Sequence, residues 1–248
     1  MNDSSKPDEL VLGVLGGMGP EATADFLSKL VAATPVEFEQ QHLRVLVDSN
    51  PKVPNRNQAL SGQGESAGPV LASMARGLER SGADFLVMAC NTAHAFEADI
   101  VAAIGVPFVS MIDEACDACE RAYPGSRIGV LAAQGCIDAG LYQNAFARRG
   151  RGVVLLATDD QLRFMNLLIR VKQGDLSNEV TSTMQRLGEL LIAAGADIVV
   201  AACTEVPLVL RDGDLSRPLF DPTMNLAQRC VQYARHLEAI PTRARVHN

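Results

Sequence analysis

Ser81-Gly82-Ala83-Asp84-Phe85-Leu86-Val87-Met88-Ala89-Cys90 returns 113 residues later as Ala194-Gly195-Ala196-Asp197-Ile198-Val199-Val200-Ala201-Ala202-Cys203. Each copy passes from a turn through an unbroken apolar run to a cysteine. Such runs suit strands of a parallel sheet covered on both faces, which need no polar alternation. Working outward, Gly13-Val14-Leu15 is answered by Gly129-Val130-Leu131, 77 and 74 residues before the respective cysteines. Pro107 and Pro218 each introduce one more short strand. One α/β unit is therefore present twice.

The rest of the chain fits that pattern. The sequence predicts strands at Val11–Leu15, Arg44–Asp48, Asp84–Ala89, Pro107–Ser110, Arg127–Leu131, Val153–Ala157, Asp197–Ala202 and Pro218–Phe220. Helical spacing is found over Pro20–Thr34, Gly68–Ser81, Ala93–Ile104, Leu141–Arg149, Gln161–Lys172 and Asn178–Ala194. Strands alternating with helices make the fold class α/β with parallel sheets. No low-complexity linker separates the copies, so the halves are expected to pack directly together.

Composition narrows the function. Hydrophobic residues make up 48% and charged residues 21% of 248, enough apolar side chain for a sizeable core. A net charge of −7 argues against nucleic acid or an anionic membrane as partner, because both need a cationic face. With no Trp, 3 Tyr and 8 Phe there is no platform for stacking bases or sugars. Met1 to Leu10 is polar, and no apolar run reaches the ~18 residues of a membrane span, so a soluble, cytoplasmic protein is expected. Six cysteines are then expected as reduced thiols rather than a disulfide scaffold.

The candidate chemistry lies at the repeated cysteines. Cys90-Asn91-Thr92-Ala93-His94 and Cys203-Thr204-Glu205-Val206-Pro207 each leave a strand at its carboxyl end, where α/β sheets bind ligands. A hydroxyl, backbone N–H groups and a following helix N-terminus would favour an anion and lower a thiol pKa there. One such cysteine could be a small core residue; two at equivalent positions of a repeat ask for a joint role. Inverting a stereocentre is such a role, since one base removes a proton from one face while another delivers a proton to the opposite face.

Other features are weaker. Gly17-x-Gly19-x-x-Ala22 with Asp48 at the end of the next strand fits a dinucleotide fingerprint loosely, and also a small-ligand turn with Pro20 opening a helix. Asn50-Pro51-Lys52-Val53-Pro54-Asn55-Arg56 is a stiffened polar loop whose Arg56 is either a carboxylate fork or merely solvated. Lys172 by default serves a helix C-terminus. Cys116-x-x-Cys119 reads as lying on a helix without clustered His, so no metal is expected. His94, four residues after Cys90, is expected in a capping or structural role.

Together Gly16-Gly17-Met18-Gly19-Pro20, Asn50 to Arg56, Cys90 to His94 and Cys203 to Pro207 resemble the aspartate/glutamate racemase family, the aspartate racemases most closely. The resemblance runs from about Leu12 to Ala234 and implies racemisation of an acidic amino acid without cofactor. It makes Cys90 and Cys203 the two bases. Asn91, Thr92 and Thr204 would bind the α-carboxylate, Arg56 and Lys172 the substrate's carboxylates, with Gly17, Met18 and Glu205 completing the substrate site. It further implies two domains related by a pseudo-twofold, residues 1–111 plus 217–248 and residues 112–216, with the active site between them and subunits paired as homodimers. Glutamate racemases carry Asp-Ser-Gly and Cys-Thr-His where this chain has Gly17-Met18-Gly19 and Cys203-Thr204-Glu205, which points away from a glutamate-specific role. Alternatives are a hydantoin racemase or maleate isomerase of the same two-cysteine type, or a non-enzymatic small-ligand or nucleotide-binding α/β protein.

Overall fold

A computed structural model describes residues 9–241. The first half runs β1 (Leu12–Gly16), α1 (Pro20–Ala33), β2 (Val45–Ser49), α2 (Arg56–Leu60), α3 (Gly68–Arg80), β3 (Phe85–Met88), α4 (Glu97–Ala103) and β4 (Phe108–Val109). The chain continues through α5 (Met111–Ala122), β5 (Ile128–Val130), α6 (Gln134–Asp138), α7 (Leu141–Ala147), β6 (Val153–Val154), α8 (Thr158–Lys172), α9 (Asn178–Ala193), β7 (Ile198–Val200), β8 (Leu219–Phe220) and α10 (Pro222–Ala234). Two four-stranded sheets result, ordered β2-β1-β3-β4 and β6-β5-β7-β8, and every ladder is parallel. The α/β class and the twofold repetition are as the sequence predicts.

The repeated Gly-Ala-Asp explains why both copies fold alike. After α3 and α9, Gly82 (φ 95°) and Gly195 (φ 99°) turn left-handed, a conformation that costs a side-chain-bearing residue ~1–2 kcal/mol. The turn lets Ala83 N–H donate to Leu78 O at 3.1 Å and Ala196 N–H to Leu191 O at 3.0 Å, closing both helices in the same way. Ala83 and Ala196 then lie against Gly13 and Gly129 of the central strands, where an added Cβ would overlap them. The Asp84 and Asp197 carboxylates accept the N–H of Val11 at 2.7 Å and of Arg127 at 2.9 Å, fixing where β1 and β5 begin.

Each sheet is covered on both faces. On the first, Phe26 and Leu30 of α1 join Leu226, Cys230 and Val231 of α10, while Leu71, Met74 and Leu78 of α3 cover the opposite face with Ile100 of α4. On the second, Phe164 and Leu168 of α8 pack with Met184 and Leu187 of α9, and Ala115 and Cys119 of α5 pack with Tyr142 and Phe146 of α7. The helix after each final strand thus crosses to the other sheet: α5 follows β4 and covers the second, α10 follows β8 and covers the first.

Some expectations need correction. Leu219–Phe220, assigned to the first domain by a boundary at residue 217, pairs with β7 in the second sheet, so the chain returns only after Phe220. Only Val153–Val154 of the predicted Val153–Ala157 is strand, because this half-buried edge has one neighbour. Ala93–Ile104 is not one helix but a 3-10 turn over Thr92–Phe96 followed by α4. Of the elements outside the predicted set, α5 and α10 are full helices, and α2 and α6 are single short turns.

Candidate active site

β3 and β7 deliver Cys90 and Cys203 two and three residues past their last paired positions, and each cysteine leads into a 3-10 turn, Thr92–Phe96 or Val206–Leu208. Cys90, Asn91, Thr92, Cys203, Thr204 and Glu205 are all buried, between 2% and 7% exposed. Burial is the dominant fact at Cys203. Desolvation and the neighbouring Glu205 carboxylate push its thiol well above the ordinary range, against the pull of Lys172. The predicted lowering of this thiol by a helix N-terminus is therefore reversed: a short 3-10 turn follows it, and the nearest charge is negative. At rest Cys203 is a thiol whose Sγ donates to Glu205 Oε2 at 2.9 Å.

Glu205 has a second neighbour. Its Oε1 lies 3.5 Å from Lys172 Nζ and accepts no hydrogen bond. Burial alone would lower the Lys172 ammonium, but the Glu205 carboxylate, aided by any thiolate at Cys203 or Cys90, outweighs it and holds its pKa above the usual lysine value. Lys172 is the last residue of α8, yet its charge serves this carboxylate as well as the helix end. Both cysteines thus lie within electrostatic reach of one cation.

Beside these groups is a cleft of about 420 Å³, within the usual size range of small-molecule sites. Gly17, Met18, Gly19, Pro20 and Arg56 line it from the first half; Lys172, Glu205 and Leu208 line it from the second. Gly17 (φ 87°) follows β1 and presses on the backbone of Asn50, where a Cβ would collide. Arg56 opens α2 behind Asn55, whose side chain caps the N–H groups of Asn57 and Gln58. Arg56 Nη1 donates to Val53 O at 3.2 Å and Pro54 O at 3.1 Å, while its buried Nε has no hydrogen-bond partner. The loop therefore aims the guanidinium instead of leaving it solvated.

Two contacts that no sequence pattern flagged tie the halves together here. Tyr142 of α7 donates its hydroxyl to Asn91 Oδ1 at 2.7 Å, and Gly135 N–H donates to Asn57 Oδ1 at 2.8 Å. Asn91 Nδ2 is buried without a partner. His94 has the structural role expected of it: Nδ1 is 2.8 Å from the Cys90 carbonyl, and Nε2 accepts the Met111 N–H at 3.2 Å. Cys116 and Cys119 are fully buried in the second core, where desolvation pushes the Cys119 thiol up to about 12.

The family model described as Asp/Glu/Hydantoin racemase matches residues 15–230. The chain belongs to this family. It is similar to the broad-specificity amino-acid racemase RacX of Bacillus subtilis (strain 168), 26% identical over 230 residues that cover 89% of this chain and 96% of the relative. Among solved structures it is similar to the aspartate racemase of Picrophilus torridus, with a TM-score of 0.78 and 27% identity, over 91% of this chain and 94% of the other. The glutamate racemase isoform RacE1 of Bacillus anthracis shares the fold, with a TM-score of 0.66 and 19% identity over 94% and 84% of the two chains. Membership of the family makes the chain an isomerase of the racemase type. Among the described residues no helix is long and apolar enough to cross a membrane.

Proposed function

We propose that the chain racemises an acidic amino acid, aspartate foremost, with Cys90 and Cys203 as the two bases and without pyridoxal phosphate or metal. The observation that carries this reading is a cleft with one cation from each half, Arg56 and Lys172, the latter within electrostatic reach of two cysteines at equivalent strand ends. A substrate with two carboxylates has one for the paired cations and one for the donors around Asn91, whose Nδ2 lacks a partner. In one direction Cys90 removes the α-proton and Cys203 protonates the opposite face; for the other enantiomer the roles exchange. The α-carbon is a weak acid, and N–H donors that meet the developing enolate-like charge lower the barrier most.

A second reading keeps the chemistry and widens the substrate. Glu205 already offsets Lys172, leaving Arg56 as the less committed cation, and RacX is described as broad in specificity. Dialysed protein incubated separately with L-aspartate, L-glutamate, L-alanine and maleate, without cofactor, distinguishes these by chiral chromatography. Fastest appearance of D-aspartate is expected, with loss of all but a few per cent of the rate in Cys90→Ala and in Cys203→Ala, roughly the scale of removing an obligatory base. Conversion of maleate alone, or dependence on an added cofactor, overturns the reading.

A further inference from the structure

Glu205 stands between a buried thiol and an open cleft. Its Oε2 takes the Cys203 hydrogen bond at 2.9 Å, and Oε1 faces Lys172 without accepting one. Its side chain is 3% exposed, while that of Lys172 is 37% exposed, so the pair leads from the interior to the cleft mouth. Cys203 itself is only 6% exposed and meets solvent poorly on its own. The repeat does not duplicate this arrangement: two residues past Cys90 is Thr92, where the second copy has Glu205.

Two-base inversion leaves an enzyme with a debt of protonation. After one turnover the former base is a thiol and the former donor a thiolate, and another molecule of the same enantiomer cannot react until the pair is reset. We propose that Glu205 is the positioning residue that resets Cys203, carrying protons between its sulfur and water in the cleft. The inference rests on the two-cysteine reading above. When Cys203 has delivered its proton, Glu205 accepts one from solvent; its O–H bond then breaks as the S–H bond forms. In the opposite direction the S–H bond breaks, the proton joins Oε2, and the carboxylic acid releases it to water. No electrons are exchanged, and solvent is the only co-reactant. Oε1 stays beside the Lys172 ammonium at 3.5 Å, and Oε2 is the oxygen that meets the sulfur. Re-protonation of Cys203 runs downhill, because burial and the adjacent carboxylate favour its thiol.

Glu205→Gln retains an acceptor for the thiol but carries no proton, and Glu205→Asp retains the carboxylate. Resetting occurs after product has left, so it limits kcat at high substrate and not kcat/KM. The Gln variant is expected to lose about ten-fold in kcat with a clearly smaller loss in kcat/KM, and the Asp variant to recover most of the loss in kcat. A second readout needs no turnover: alkylation of Cys203 by iodoacetamide, followed by peptide mass spectrometry across pH. Removing the negative neighbour should move its inflection to lower pH in Glu205→Gln. Equal losses in kcat and kcat/KM would make Glu205 a substrate-binding or structural group and overturn the proposal, as would an unchanged kcat. An unmoved alkylation profile would show that the thiol–carboxylate contact is not made. Failure of the wild type to racemise any amino acid would bring down the two-cysteine reading and this inference with it, while the alkylation profile still reports on the contact.

Discussion

Tyr142 is fully buried on α7, and its hydroxyl is the partner of the Asn91 amide across the two halves. Burial keeps the phenol protonated, and its O–H donates to the carboxamide oxygen. That contact fixes which end of the Asn91 side chain is Oδ1 and leaves Nδ2 as a donor, the polarity a substrate carboxylate requires. Tyr142→Phe keeps the ring and frees the amide to rotate. A loss of about ten-fold in kcat/KM is expected, equivalent to ~1.4 kcal/mol, with a stability cost of ~1 kcal/mol for the lost buried hydrogen bond. Steady-state racemisation kinetics with chiral detection would refute the assignment if the variant matched the wild type. The residue scale also marks what the sequence could and could not disclose. Cys90 with Asn91 and Thr92, and Cys203 with Thr204 and Glu205, are contiguous and repeated, so they stand out. Tyr142 and Asn57 act on partners 51 and 78 positions away, where no local spacing points. The sign of the Cys203 shift was likewise hidden, because it depends on how deep the strand end lies and on where Glu205 turns.

At the scale of elements, strands were the easiest part to read, since a covered parallel strand must be an unbroken apolar run. The terminators were readable as well, because Gly82 and Gly195 close α3 and α9 with the same backbone bonds. The helices α5 and α10 were not among the predicted spans, although Asp221 caps α10 through the N–H groups of Thr223 and Met224 and Pro222 opens it. Alternation of strand and helix demands nothing after the fourth strand of each sheet, so that pattern is silent there. A prediction follows from the close approach of helix end to strand. At Gly129 an added Cβ would lie 2.9 Å from Ala196 Cβ and 3.1 Å from Leu191 Cβ, neither of which can rotate away. Gly129→Ala should therefore destabilise by about 1–3 kcal/mol through overpacking. Adding Ala196→Gly removes the nearer of the two colliding carbons, so the double variant should lose less than the sum of the single losses. Urea unfolding of the four proteins measures this coupling; strict additivity would mean that the two positions do not share the space.

For the whole molecule, the exchange of α5 and α10 between sheets places a buried ion pair where the two crossovers meet. Glu114 of α5, whose side chain is 7% exposed, accepts from Arg229 Nε at 2.8 Å and from the Tyr233 hydroxyl at 2.6 Å, both on α10. Arg229 also lies over the Tyr233 ring, 4.7 Å from its centroid, and pairs with Glu238 at 2.7 Å. The Glu114 carboxylate therefore joins helices that belong to different sheets, and its loss affects both. Glu114→Leu would leave the guanidinium half-compensated in a buried setting, and a cost of about 3 kcal/mol is expected, the lower end for breaking a buried pair, because Glu238 remains. Glu114→Leu combined with Arg229→Met removes both charges and should be the more stable of the two variants, since apolar side chains of similar volume replace a buried pair at little cost. Equilibrium urea unfolding gives both values from the transition midpoints, with unchanged slopes expected if the unfolded chains are alike. If the single variant unfolds at the wild-type midpoint, the pair contributes nothing to the junction. If the double variant falls below the single, Arg229 acts there through its ring contact and Glu238 instead of through Glu114.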